Sequence, residues 1–290
     1  MWNKKLNSRR PFLPVKYDVI FRLFFADERN EEELIGLLKS VLKLPEYEYE
    51  SIEIADPHLL PEYVADKHAV IDVKLRTKSR KVIHIEVQLK VPPSMKSRII
   101  FYDAKLITEQ IGSGGKYEEL QKVVSIVITD EELIQDSPVY HHRFTFYDPE
   151  AGVEFTDIVE IHTIELRKLP PNADGTALYD WAKFIDAETE EELNMVAQRN
   201  PEVKKAVVKL RELSADERAR DMLERREKGW RDVMDFADGA RAEGRAEGRA
   251  EAQREAVFIF KKMNHTDDEI TEVFNLPLET VKTILTERTE

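Results

Sequence analysis

Two acids on neighbouring strands give this chain the means to hold a metal ion. The stretch Ala69 to Lys90, AVIDVKLRTKSRKVIHIEVQLK, alternates apolar and polar residues on either side of a basic turn, the two-residue period of paired strands. In the first strand Ala69, Ile71, Val73 and Leu75 point one way and Val70, Asp72, Lys74 and Arg76 the other. In the second, Ile83, Ile85, Val87 and Leu89 face a core while His84, Glu86, Gln88 and Lys90 face outward. A loop of Thr77 to Lys81 centred on Ser79 sets Asp72 opposite Glu86 and Lys74 opposite His84. Opposed side chains have Cβ atoms roughly 4.5–5.5 Å apart, and like charges there repel. A divalent cation between the carboxylates turns that repulsion into binding, since Mg²⁺ takes one or two carboxylates plus water and substrate phosphates. An amphipathic hairpin also shows water a polar face that does no chemistry, so the surroundings decide.

From Lys67 to Lys105 there are ten Lys and Arg against three acids, Asp72, Glu86 and Asp103, a local charge of +7 in a chain of net charge −13. A basic segment that places two of its few acids on one face suits a phosphate-binding surface with a metal at its centre. Screening beyond ~8–10 Å lets such a local site coexist with overall acidity. Downstream, Ser94 to Ile111 has helical periodicity, with Arg98, Tyr102, Lys105 and Glu109 forming one polar stripe. A solvated face accounts for that stripe, and so does a row of phosphate contacts. Arg76 and Lys78, beside the turn, are further candidate contacts.

The order Asp72…Glu86-Val87-Gln88 resembles the PD-(D/E)XK nuclease fold, and more narrowly the recombination-promoting nuclease (Rpn) and transposase family. Tyr17-Asp18-Val19-Ile20-Phe21-Arg22-Leu23-Phe24 resembles that family's opening helix. Ser97-Arg98 through Tyr102, then Gly115-Lys116-Tyr117 ahead of Val123–Thr129, resembles its middle, and the Gly244-Arg245-Ala246-Glu247-Gly248-Arg249 repeat its C-terminal helix. The resemblance implies an α/β restriction-endonuclease-like core, a mixed central sheet flanked by helices, followed by an all-α C-terminal extension. It implies Asp72 and Glu86 as metal ligands with the Val87 carbonyl, and Asp18 as a third acid. The wider fold has Glu-x-Lys, whereas Gln88 carries no charge and cannot act as a base; the narrower family shows this Gln too. Lys74 and Lys90 point to the same face and could supply the missing cation, Lys74 being nearer the middle of the hairpin.

Composition frames the rest. The chain has 290 residues, 42% hydrophobic and 35% charged, and no Cys, which excludes disulfides, thiolate zinc sites and Cys nucleophiles and fits a reducing cytosol. The N-terminus MWNKKLNSRRPFLP is basic without a signal-peptide run, and no stretch approaches a membrane span. Expected regions are a basic arm over 1–15, the nuclease-like domain over 16–170, a helical region over 171–238, and a repetitive helix with a helical tail over 239–290. Helices are expected over 16–25, 31–42 and 94–111, a buried strand over Val123 to Thr129, and a strand pair over 143–147 and 153–164. Beyond Leu169 helices are expected over 177–186, 190–198, 202–213 and 216 to about 236. The four-residue repeat from Arg241 stacks like charges at i, i+4 and includes Gly, so a lone helix there is marginal. Its small-residue rows suit a spacer or a helix paired with another copy. Thr266 with Glu269 forms a capping box in the tail. Residues 255–290 have net charge −4, which argues against a DNA-reading helix pair and for an oligomerisation tip. His141 and His142 lack a partner His at metal-ligand spacing and read as strand-edge residues.

The expected activity is that of a cytoplasmic, metal-dependent DNA endonuclease using Mg²⁺ (or Mn²⁺ or Ca²⁺), tied to recombination or transposon-related DNA processing, with RNA the weaker substrate. It needs no membrane and self-associates through its C-terminal helices. The alternative is a nuclease-fold protein that binds DNA or assembles without turnover.

Overall fold

The computed structural model describes residues 10–59, 69–112 and 114–286; Lys4, Lys5 and Arg9 of the basic arm lie outside them. In chain order the elements are α1 (Asp18–Phe25), α2 (Glu31–Val41), β1 (Glu53–Ala55), β2 (His58–Leu59), β3 (Ala69–Val70), β4 (Val73–Arg76), β5 (Val82–Gln88), α3 (Met95–Thr108), β6 (Val123–Thr129), β7 (His141–Asp148), β8 (Val153–Glu165), α4 (Ala177–Asp186), α5 (Glu190–Arg199), α6 (Pro201–Ala215), α7 (Glu217–Lys262), α8 (Asp267–Phe274) and α9 (Leu278–Thr286). They form two compact units, one ending at Glu224 and one beginning at Arg225.

The first unit is built on a six-stranded mixed sheet of order β1-β4-β5-β6-β8-β7. β5, β6 and β8 run parallel and the remaining pairs antiparallel. The chain therefore has the expected α/β core with a helical C-terminal stretch. Parallel neighbours need a crossover, and between β5 and β6 that crossover carries α3. One face of the sheet, with Val73, Leu75, Ile83, Ile85, Val87, Val124, Ile126 and Ile128, shares a core with α1, α2 and α4 to α7. Phe12, Leu13 and Val15 join it ahead of α1, and the Leu13 N–H donates to Ser214 Oγ at 2.9 Å. The opposite face lies under α3 through Val82, Val123 and Val127 against Ile99 and Leu106.

The hairpin of β4 and β5 has the expected register, with Lys74 opposite His84 and Thr77 to Lys81 in the loop. Two expectations need correction. Ala69 to Arg76 is not one strand: β3 pairs with β2 in a separate two-stranded sheet, and the chain breaks at Ile71–Asp72. There Ile71 abandons the Val73–Leu75 face and packs with Leu106 of α3. The polar row of the hairpin is also not solvated, because Lys74, His84 and Glu86 are all buried. β5 is an interior strand of a sheet covered on both faces, so it has no water-facing side.

An acid ahead of the sheet fixes the hairpin loop. Glu48, fully buried, accepts from Thr77 Oγ1 at 2.7 Å and from the Ser79 N–H at 3.2 Å, and also bonds Ser79 Oγ and Lys81 Nζ. These bonds hold its carboxyl down at about 2. Arg80 takes the loop's left-handed position at φ 69°.

α7 corrects a third expectation. It runs unbroken through 46 residues, across Gly239, Gly244 and Gly248, because the Ala, Arg and Glu between them are strong helix formers. In the second unit Val257, Ile270, Val281 and Ile284 make a small core. Thr266 and Glu269 form the expected capping box on α8. No described helix is long and apolar enough to cross a membrane.

Candidate active site

The break before β4 creates the site. In an antiparallel pair a residue's N–H and C=O point to the same neighbour, and the odd-numbered residues of β5 serve β4. Val73 is the last residue of β4 to pair, with Ile85, so the next odd position, Val87, faces the gap. Its N–H is taken by the Asp72 carboxylate, with Oδ2 at 2.8 Å. The Val87 carbonyl points to the same side. Glu86 lies beside them, buried, and its Oε1 accepts from Arg98 Nη2 at 2.9 Å and Gln88 Nε2 at 3.1 Å. Glu86 Oε2 is buried with no hydrogen-bond partner.

Burial, and then the charge of Asp72, push the Glu86 carboxyl up to about 8, against the opposing pull of Arg98. Two carboxylates crowded together in low dielectric, one with an oxygen left over, are a donor set suited to a cation. Oxygen ligands from Asp72, Glu86 Oε2 and the Val87 carbonyl fit a hard divalent ion, with water and phosphate completing its shell. Among the described residues no group of three or more His, Cys, Asp and Glu is arranged for a metal, so a cation here depends on such non-side-chain ligands.

Arg98 and Glu109 of the α3 polar stripe reach side chains of the sheet. Arg98 reaches Glu86, and its guanidinium carbon lies 5.7 Å from the Tyr102 ring centre. Burial, then the charges of Glu86 and Asp72, raise the Tyr102 hydroxyl above its usual range. At the far end of the stripe Glu109 accepts from Lys74 Nζ at 3.0 Å. Ile100 and Phe101 are left exposed, and Lys105 Nζ sits 5.5 Å from the Phe101 ring centre.

The structure thus brings Asp72, Glu86, Val87, Gln88, Arg98 and Tyr102 together. Lys90 is drawn off to Glu131 Oε1 at 2.5 Å. Arg76 lies 3.9 Å from Glu53, and Lys78 pairs with Glu50, both at the loop end of the hairpin. Asp18 stands at the start of α1, its Oδ1 accepting from the Val19 N–H at 2.9 Å. Lys16, at the start of the helix expected over 16–25, is buried against Glu188 at 2.6 Å.

Sequence reasoning missed the support beneath the site. His84 Nε2 lies 3.0 Å from Asp103 Oδ1, and Ser125 Oγ bonds both, all three buried. The signal was present: Asp103 sits between Ile99 and Leu106 at helical spacing, an acid on an apolar face. His141, read as lacking a His partner, meets His162 of β8 at 2.9 Å. His162 in turn bonds Glu160 at 2.7 Å.

A family model described as PD-(D/E)XK nuclease family transposase matches residues 15–240. No curated protein and no solved structure matches the chain.

Proposed function

This chain belongs to the PD-(D/E)XK nuclease family transposases, and from that premise we propose that it is a metal-dependent endonuclease acting on DNA. The observation that carries this is the buried Glu86 with its partnerless Oε2 beside Asp72. Asp72, Glu86 and the Val87 carbonyl would hold Mg²⁺, with Mn²⁺ or Ca²⁺ as stand-ins. A cation bound there supplies charge stabilisation at the scissile phosphate and acidifies a bound water. In the hydrolysis the water oxygen bonds to phosphorus as one P–O ester bond breaks. One water proton ends on the leaving oxygen and the other on the new phosphate monoester. Gln88 spends its amide N–H on Glu86, which leaves its carbonyl oxygen to accept from the attacking water. Lys105 and Lys96, on α3, lie on the helix that borders the site and suit backbone phosphates.

DNA is the proposed substrate, in recombination or transposon-related processing in the cytoplasm. Self-association is proposed through the helices from about Gly239. The second unit supports it, because Ile259, Met263 and Val273 are exposed there.

A second reading, a nuclease scaffold that binds without turnover, is favoured by one observation. Position 88 has no charge, and Lys74 and Lys90 are both occupied by acids. Plasmid nicking with Mg²⁺ or Mn²⁺, wild type against Asp72→Ala, separates the two. Metal-dependent nicking that vanishes in the variant is the expected result; a wild type that never nicks leaves the scaffold.

A further inference from the structure

We infer that Arg98 is the phosphate ligand of this centre and supplies the positive charge that Gln88 lacks. The inference rests on the nuclease reading above and assigns it a residue. Lys74 and Lys90 are the lysines on the hairpin face that could supply that charge, and their partners set them apart from Arg98. Lys74 donates to Glu109 at 3.0 Å, on the far end of α3. Lys90 donates to Glu131, a carboxylate also fixed by the Val91 N–H at 3.1 Å. Only Arg98 of the three lies on a metal-site acid, with Nη2 at 2.9 Å from Glu86 Oε1.

The guanidinium is not used up by that contact. It has five N–H donors in a planar fork, and its Nε is buried with no acceptor. A buried donor without an acceptor is costly, and a ligand oxygen that reaches it recovers the loss. The bond from Nη2 to Glu86 and the Tyr102 ring, 5.7 Å from the guanidinium carbon, position the fork before any ligand arrives. A phosphodiester offers two anionic oxygens, the geometry that an Arg fork takes in a bidentate way and a lysine does not. Glu86 divides its labour accordingly: Oε1 engages Arg98 and Oε2 is left for a cation.

A simpler role would have Arg98 act only as the counter-ion that holds Glu86 in place. The two roles part on metal binding. As a counter-ion Arg98 is needed for the metal site, whereas as a phosphate ligand it is needed only by the substrate, and its charge repels a cation bound at Glu86 Oε2. The test uses the full chain and the variants Arg98→Ala, Arg98→Gln and Arg98→Lys. Mn²⁺ affinity is measured by calorimetry without DNA, and single-turnover cleavage of a duplex is followed in Mn²⁺. Loss of the neutralised donor should slow cleavage by about a hundredfold in Ala and Gln, the scale of one lost transition-state donor. Mn²⁺ should bind both variants as tightly as wild type or more tightly, and Lys should recover part of the rate. Should Ala fail to fold, as judged by circular dichroism, Gln carries the same comparison with a side chain of closer size.

Cleavage by Ala or Gln within about threefold of wild type overturns the inference. So does a parallel fall in cleavage and Mn²⁺ affinity, which makes Arg98 a prop for Glu86. A wild type that binds Mn²⁺ and cuts nothing removes the nuclease reading, and this inference with it.

Discussion

The Asp72 carboxylate takes the Val87 backbone N–H at 2.8 Å, so one side chain both ends the β4–β5 ladder and stands in the proposed metal site. Fold and chemistry can be parted at this residue. Asp72→Asn keeps an oxygen for the Val87 N–H and loses the charge, while Asp72→Ala loses both. In urea unfolding Asp72→Ala should be destabilised by about 1–3 kcal/mol, the penalty of a buried donor left unpaired, and Asp72→Asn should be less so. Neither should nick plasmid. An Asn variant as unstable as Ala would mean the hydrogen bond does not cap the strand.

Glu86 should make the metal-free protein less stable as pH rises. Its carboxyl goes from an ordinary 4.5 to about 8 in the folded chain. A group raised on folding stabilises fully below its unfolded value, and that contribution is lost as pH climbs through the folded value. With chelator present, the urea midpoint of wild type should fall between about pH 5 and pH 8 relative to that of Glu86→Gln. Divalent-ion affinity should rise over the same interval, because the cation takes the ionised form. Parallel midpoints for the two proteins would mean Glu86 does not titrate in that window.

Glu48 should give the opposite dependence. Its bonds from Thr77, Ser79 and Lys81 hold it at about 2, so its stabilisation is present above 4.5 and lost as pH falls through about 2. Glu48→Ala strands Lys81 and the loop hydroxyls and should cost about 3–5 kcal/mol, the range for breaking a buried pair. Because the loop sets the register that aligns Asp72 with Glu86, nicking should fall along with stability. A Glu48→Ala protein with the wild-type urea midpoint would show that the loop holds itself.

Truncation after Asp238 should lower the mass in light scattering while the sheet-based unit keeps its unfolding midpoint. The exposed Ile259, Met263 and Val273 beyond the cut motivate this. An unchanged mass would leave the tail as a spacer.

The hairpin register was legible because a period of two leaves little choice once the loop has an odd length. Lys74 does face His84. The break at Asp72 was not legible, since Ile71 continues the alternation and only its contact with Leu106 takes it elsewhere. α3 was read as a helix with a polar stripe, but which way the stripe faced depended on what lay beneath it. Glu86 and Lys74 were buried polar partners on the sheet, and they drew Arg98 and Glu109 inward. Glu48 gave no local sign at all. It stands among acids and tyrosines in Glu46–Glu50, and its partners lie some thirty positions on. The length of α7 was missed by weighing its glycines above the Ala, Arg and Glu around them.

The contacts that make the centre close short stretches of chain. Asp72 and Val87 are 15 residues apart, and Glu86 and Arg98 are 12 apart, whereas the Leu13–Ser214 bond that ties the N-terminal segment to α6 spans 201. Closing a short loop costs less chain entropy than closing a long one, and local contacts form faster. The kinetic consequence is an order of events. The hairpin and the first turns of α3 can meet while the helices from α4 onward are still unmade on the ribosome.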